Sequence, residues 1–96
     1  MTFPTIHMNG TGVETLRDDN LNARQAVETA IDTIAKMEFN ARDYYPVDGS
    51  WEKAKAERFA HVRSLRAASE YFLAIAEHAQ NALDEREARR AKSHEA

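Results

Sequence analysis

The feature that most constrains this chain is a hydrophobic repeat in its first half. From Val13 the residues at alternating steps of three and four are Val13, Leu16, Asn20, Ala23, Val27, Ala30, Ile34 and Met37. All but Asn20 are apolar, which is the a/d pattern of a heptad and predicts an amphipathic helix over about residues 12–37. Its start carries a capping box, Thr11-Gly12-Val13-Glu14, in which the Thr11 hydroxyl accepts from the Glu14 amide and the Glu14 carboxylate reaches back to the Thr11 amide. Glu14, Asp18 and Asp19 then sit where the positive end of the helix dipole favours them. Asn20, polar in an apolar seam, is the kind of residue that fixes register or oligomer state. Leu21 and Ile31 lie beside the seam and widen the apolar face.

A second helix is expected over about residues 51–90, with Ser50 as its cap and Glu52 in its first turn. All three glycines and both prolines lie before residue 50, so nothing afterwards interrupts it. Its clearest seam is Val62, Leu65, Ser69, Phe72, Ala76, Ala79 and Leu83, with a second stripe at Ala68, Tyr71, Ile75 and Ala82. Between the helices, residues 38–50 hold Asn40, Pro46, Asp48 and Gly49 and read as a loop, longer than the connection usual between bundle helices. Folding back at equal rise pairs residue 51 with Met37 and brings Val13 level with about residue 75. Residues 1–10 read as an extended arm, with Ile6 and Met8 on one side, that covers Ala76 to Leu83; residues 91–96 are a charged tail, and everything after Asp84 is expected to fray. The fold expected is all-α: an antiparallel helical hairpin with an extended N-terminal arm. Two helices have no enclosed centre, so the many apolar stripes predict assembly into a homo-oligomeric bundle, in its simplest form two hairpins making four helices.

Chemistry is harder to find. The net charge is -3, which argues against a DNA or RNA binder held by phosphate contacts. The chain has no cysteine, which excludes a disulfide framework and thiolate zinc and suits a cytoplasmic location. No apolar run reaches the ~20 residues of a membrane span, and no signal-peptide layout is present. Glu57/His61 and Glu28/Asp32 stand four apart, not at the Glu-x-x-His spacing of a di-iron bundle. No nucleophile turn or phosphate-binding loop occurs. The reading is therefore non-enzymatic, without metal or cofactor.

What remains is binding. Arg42, Tyr44 and Tyr45 in the loop bring a guanidinium and two aromatic faces together, and Lys55 and Arg58 follow on one side of the second helix. Cations for phosphate and rings for a base are what a small anionic nucleotide requires. Asn9, Gly10 and Thr11 add amides at a helix start, a natural anion nest. The first helix holds these two groups about 40 Å apart in one chain, so a shared site requires two protomers. Two blander readings stand beside this one. The loop aromatics with Phe39 and Trp51 form a plug that closes the hairpin, and Glu52, Glu57 and Glu70 pair with the bases.

His7-Met8-Asn9-Gly10-Thr11 before the first helix, Arg42-Asp43-Tyr44-Tyr45-Pro46 between helices and a long charged second helix together resemble small helical proteins encoded by bacteriophages, over about residues 3–84. In size and plan the chain is also similar to viral sponge proteins, helical oligomers that sequester nucleotide immune signals at subunit interfaces. That likeness is architectural and brings no shared sequence motif. The resemblance implies an anti-defence protein of the host cytoplasm that sequesters a nucleotide between subunits. The alternative is a structural or protein-interaction module that binds a protein partner through its loop aromatics.

Overall fold

The computed structural model of the chain describes residues 1–6 and 12–95, the last three by backbone alone. Helix α1 runs Val13–Ala35 and helix α2 runs Ser50–Glu95, joined by a loop that holds a 3-10 turn at Ala41–Asp43. No strand occurs among the described residues, so the all-α hairpin stands. The molecule is a rod of 76 × 23 × 20 Å, its length set by the 46-residue α2.

Two hydrogen bonds across the helix pair set its register. The Arg17 guanidinium donates to Gln80 Oε1 at 3.0 Å, and the Ser69 hydroxyl donates to Glu28 Oε1 at 2.5 Å. A step from 17 to 28 along α1 is matched by a step from 80 back to 69 along α2. On this register Val13 falls opposite about residue 84, not about 75. The equal-rise expectation failed because α2 does not pair with α1 from its first residue. Its opening turns are taken up by the folded loop, and the crossing contacts begin where Arg58 reaches Ile34.

The buried apolar residues are Val13 and Ile31 on α1 and Ile75, Ala76 and Ala79 on α2, with Ser69 beside them. Ala30 and Met37 are exposed, whereas the heptad reading placed them in the seam. Met37 lies past the end of α1 at Ala35, and for Ala30 the reason is helical pitch. Val13 and Ile31 are separated by five full turns at 3.6 residues each, so a straight helix puts Ile31 beneath Val13. A 3.5-residue repeat drifts away from that line unless the helices supercoil. Arg24 also enters the interface, and its Nε is buried with no hydrogen-bond partner among the described residues.

The helix ends differ from expectation in detail. Thr11, and with it the capping box, lies outside the described residues. The N-cap position of α1 is Gly12, whose carbonyl accepts from the Leu16 amide at 2.9 Å. Asn20 Nδ2 donates to its own helix at the Leu16 carbonyl, 2.8 Å, so within the hairpin it satisfies a local bond. Ser50 is not a side-chain cap: its hydroxyl donates to the Tyr44 carbonyl at 2.7 Å and ties the loop to the start of α2. The carbonyl that accepts the first α2 bond is that of Gly49, at φ +77°, a left-handed backbone suited to glycine. At the far end α2 continues to Glu95, where fraying from Asp84 was expected, because no helix breaker interrupts residues 84–95.

Candidate functional site

The loop end is built on an aromatic cluster. Phe39 lies 4.7 Å from Trp51 and 5.9 Å from Tyr44, and Tyr44 lies 5.8 Å from Trp51, as ring-centroid distances. The 3-10 turn sets Tyr44 inward, with its amide on the Ala41 carbonyl at 2.9 Å. Tyr45, the next residue, turns outward and is 76% exposed. The two tyrosines thus divide: Tyr44 closes the hairpin, as the plug reading expects, and Tyr45 faces solvent.

The cations divide in the same way. Arg58 donates to the Ile34 carbonyl at 2.6 Å, and its guanidinium stacks 4.4 Å from the Phe39 ring centroid. Lys55 pairs with Glu52 at 3.0 Å and sits 5.4 Å over the Trp51 ring. Both are thereby engaged within the chain. Arg42, in the 3-10 turn, is exposed. Of the expected ligand residues, the structure brings Tyr44, Lys55 and Arg58 into one packed cluster and leaves Arg42 and Tyr45 on its rim. Asn9, Gly10 and Thr11 lie outside the described residues. Phe39 and Trp51, not counted among the ligand residues, are the surfaces on which the two cations rest.

Three more large apolar side chains are exposed at this end: Met37 at 59%, Val47 at 65% and Phe59 at 68%. A lone aromatic off the main seam, as Phe59 is, gives no strong signal of exposure in a sequence.

The arm makes a concave feature on α2. Phe3 stacks on His78, with ring centroids 4.9 Å apart and planes at 26°, and the Pro4 carbonyl lies 3.1 Å from His78 Nε2. Ile6 is half-buried, while Met8 lies outside the described residues. The arm therefore meets α2 where it was expected to, and a groove of about 700 Å³ extends beside it to Arg86 and Arg89. Arg17, at the edge of the interface, has its pKa raised, chiefly by the hydrogen bond to Asp18 at 2.9 Å. No three His, Asp or Glu residues gather as a metal site among the described residues. No described helix is long and apolar enough to cross a membrane.

No family model, curated protein or solved structure matches this chain.

Proposed function

We propose that the chain is a non-enzymatic helical interaction module that binds a protein partner through its loop end. The observation that carries this is the exposure of Tyr45, Val47 and Phe59 around a cluster whose own rings and cations are already committed to one another. Exposed aromatics on a rigid base lose little conformational entropy on binding and are common anchors of interfaces. The experiment compares wild-type bait with Tyr45→Ser and Phe59→Ser baits of equal helicity. A protein captured by the wild type and lost with both variants supports the reading. Equal recovery on all three baits removes it.

A second reading is favoured by the adjacency of exposed Arg42 and Tyr45 in the loop. Here the chain sequesters a small anionic nucleotide between subunits, as the sponge-like plan implies, with Arg42 on phosphate and Tyr45 on the base. Arg58 and Lys55 would contribute less, since each would first have to leave its present partner. A thermal-shift panel of cyclic dinucleotides and ADP-ribose derivatives tests it. Ligand at ~100 Kd stabilises by about 2.7 kcal/mol. A shift abolished by Arg42→Ala supports nucleotide capture, and a flat panel removes it.

A further inference from the structure

The two sides of the hairpin differ in character. One side carries Gln25, Glu28 and Asp32 from α1 and Arg66, Glu70 and Glu77 from α2, at helical spacing along each, and its apolar members Leu21 and Leu73 line a small cavity with Arg17, Glu77 and Gln80. The other carries Ala23, Val27, Ala30 and Ile34 from α1, at steps of four and three, facing the same way as Leu65, Ala68 and Phe72 of α2, with Met37 just past the end of α1. No charged residue interrupts either stripe. Ala30 and Met37 are exposed, Ala23, Val27, Ile34, Leu65, Ala68 and Phe72 are half-buried, and Tyr71 stands at the rim, 44% exposed. This is a continuous apolar strip along the middle of the rod.

The surface area indicates how much cover the chain lacks. A compact monomer of this mass exposes roughly 5,600 Å² by the size scaling of folded proteins. This chain, of 10.9 kDa, exposes 7611 Å². The excess is about 2,000 Å², more than twice the ~800 Å² that each partner buries in a standard interface. An extended rod with a charged C-terminal overhang accounts for part of it, and association over the apolar strip would remove another part.

We infer that this strip is the interface with a second copy of the chain, two hairpins closing into an antiparallel four-helix bundle. An uncharged strip meets its own two-fold image without like-charge repulsion, which is the condition an isologous contact must satisfy. Alanines at 23, 30 and 68 let the backbones approach, and Val27, Ile34, Leu65 and Phe72 supply the side chains that interdigitate. The register crossing at Glu28 and Ser69 lies near mid-rod, so a two-fold axis crossing the rod there sets α1 of one copy antiparallel against α1 of the other, and α2 against α2, along the strip. The polar side, with its Asp32, Glu70 and Glu77, stays in water. The inference deepens the interaction-module reading, because a dimer presents two loop ends. It does not depend on what those ends bind.

Sedimentation equilibrium between 1 and 100 µM is the test. Wild type is expected at twice the chain mass, with a Tm that rises with concentration. Ala30→Glu and Ala68→Glu place a carboxylate in the strip, and glutamate is a good helix former. Each is expected to sediment at the mass of one chain. Gln25→Glu, on the polar side, is expected to keep the dimer mass. A wild-type chain that is monomeric at 100 µM with a concentration-independent Tm overturns the inference. So does a dimer that both strip variants leave intact. If a strip variant fails to fold, the wild-type mass and the concentration dependence of its Tm still decide. A dimer found with equal partner capture on all baits would sink the loop-end reading and leave this one standing.

Discussion

The guanidinium of Arg58 donates to the carbonyl of Ile34 at 2.6 Å while its central carbon lies 4.4 Å over the Phe39 ring centroid, and so one side chain of α2 closes the C-terminal end of α1. The last carbonyls of a helix lack intrahelical donors, and a cation is favoured at the negative end of the dipole. Ile34 also accepts the Met37 amide at 3.1 Å, which tightens the chain into the loop. Arg58→Ala is expected to cost about 1.5–3 kcal/mol, the range for a hydrogen bond to a charged group. In a domain of this size that is a fall in Tm of roughly 4–8 °C per kcal/mol by thermal melting. Arg58→Lys should recover less than half, because an ammonium keeps the charge and loses the planar stack. A lysine variant as stable as wild type would show that charge alone matters there.

Ser69 is 3% exposed and donates to a carboxylate, an O–H···O⁻ bond of 2.5 Å across the helix pair. Charge-assisted bonds of this kind are short and about twice as strong as neutral ones. Ser69→Ala leaves Glu28 half-buried without its donor and should destabilise by about 1–2 kcal/mol. The double variant Ser69→Ala with Glu28→Gln should cost less than the sum of the two single changes. Additive costs in that cycle would mean the bond contributes little.

Arg24 is the opposite case. Its Nε is buried without a partner, and such a donor costs about 1–3 kcal/mol. Met has similar length, a good helix propensity and no donor to satisfy. Arg24→Met is therefore expected to raise the urea midpoint with an unchanged slope. A lower midpoint would mean that the rest of the guanidinium returns more than its Nε costs.

Much of this was legible in the residues, and the failures have a common cause. Helix identity follows from local information: the apolar repeats and the confinement of Gly and Pro to the first half. Val13, Ser69, Ala76 and Ala79 were placed in the seam by spacing and are buried. Ile31 was placed beside it and is buried, because the choice between a 3.5 and a 3.6 repeat depends on whether the helices supercoil. The register was missed by about nine residues because it depends on how the loop folds against α2. That is a tertiary matter: Phe39, Tyr44 and Trp51 gather before α1 and α2 begin to pair. The same clustering explains the candidate site. Arg42, Tyr44, Tyr45, Lys55 and Arg58 are the right residue types for a nucleotide. Spacing could not reveal that Arg58 would be held by a backbone carbonyl and Lys55 by Glu52.

Gly49 offers a cleaner test of the loop. Its φ of +77° is left-handed, and a Cβ built there meets nothing within 4 Å. Any penalty for a side chain at Gly49 is thus backbone strain and not a clash. Gly49→Ala should destabilise by about 1–2 kcal/mol, the cost of a left-handed alanine. Gly49→Asn should cost noticeably less, since asparagine visits this region more readily. Equal losses for the two, read from denaturant midpoints, would contradict a strain origin.

Among its described residues the arm is held to α2 by one stacked ring pair and one backbone carbonyl, and this sets what loss of the stack does. Phe3 stacks on His78 but remains 45% exposed, and the Pro4 carbonyl supplies the one polar contact described beside it. An aromatic pair is worth about 0.5–1.5 kcal/mol beyond its burial, and an exposed pair sits at the low end. Local segments held this weakly open far more often than the whole domain unfolds. Phe3→Ala should therefore leave far-UV helicity and the global midpoint within about 0.5 kcal/mol of wild type, as surface substitutions generally do. Cleavage within the first six residues by a non-specific protease should accelerate several-fold, as should exchange of the Thr5 and Ile6 amides. A variant that loses global stability by more than ~2 kcal/mol would instead make the arm part of the cooperative core. The groove beside Asn81 and Ala82 would then be an interior seam of the fold and not a surface left open by a loosely held arm.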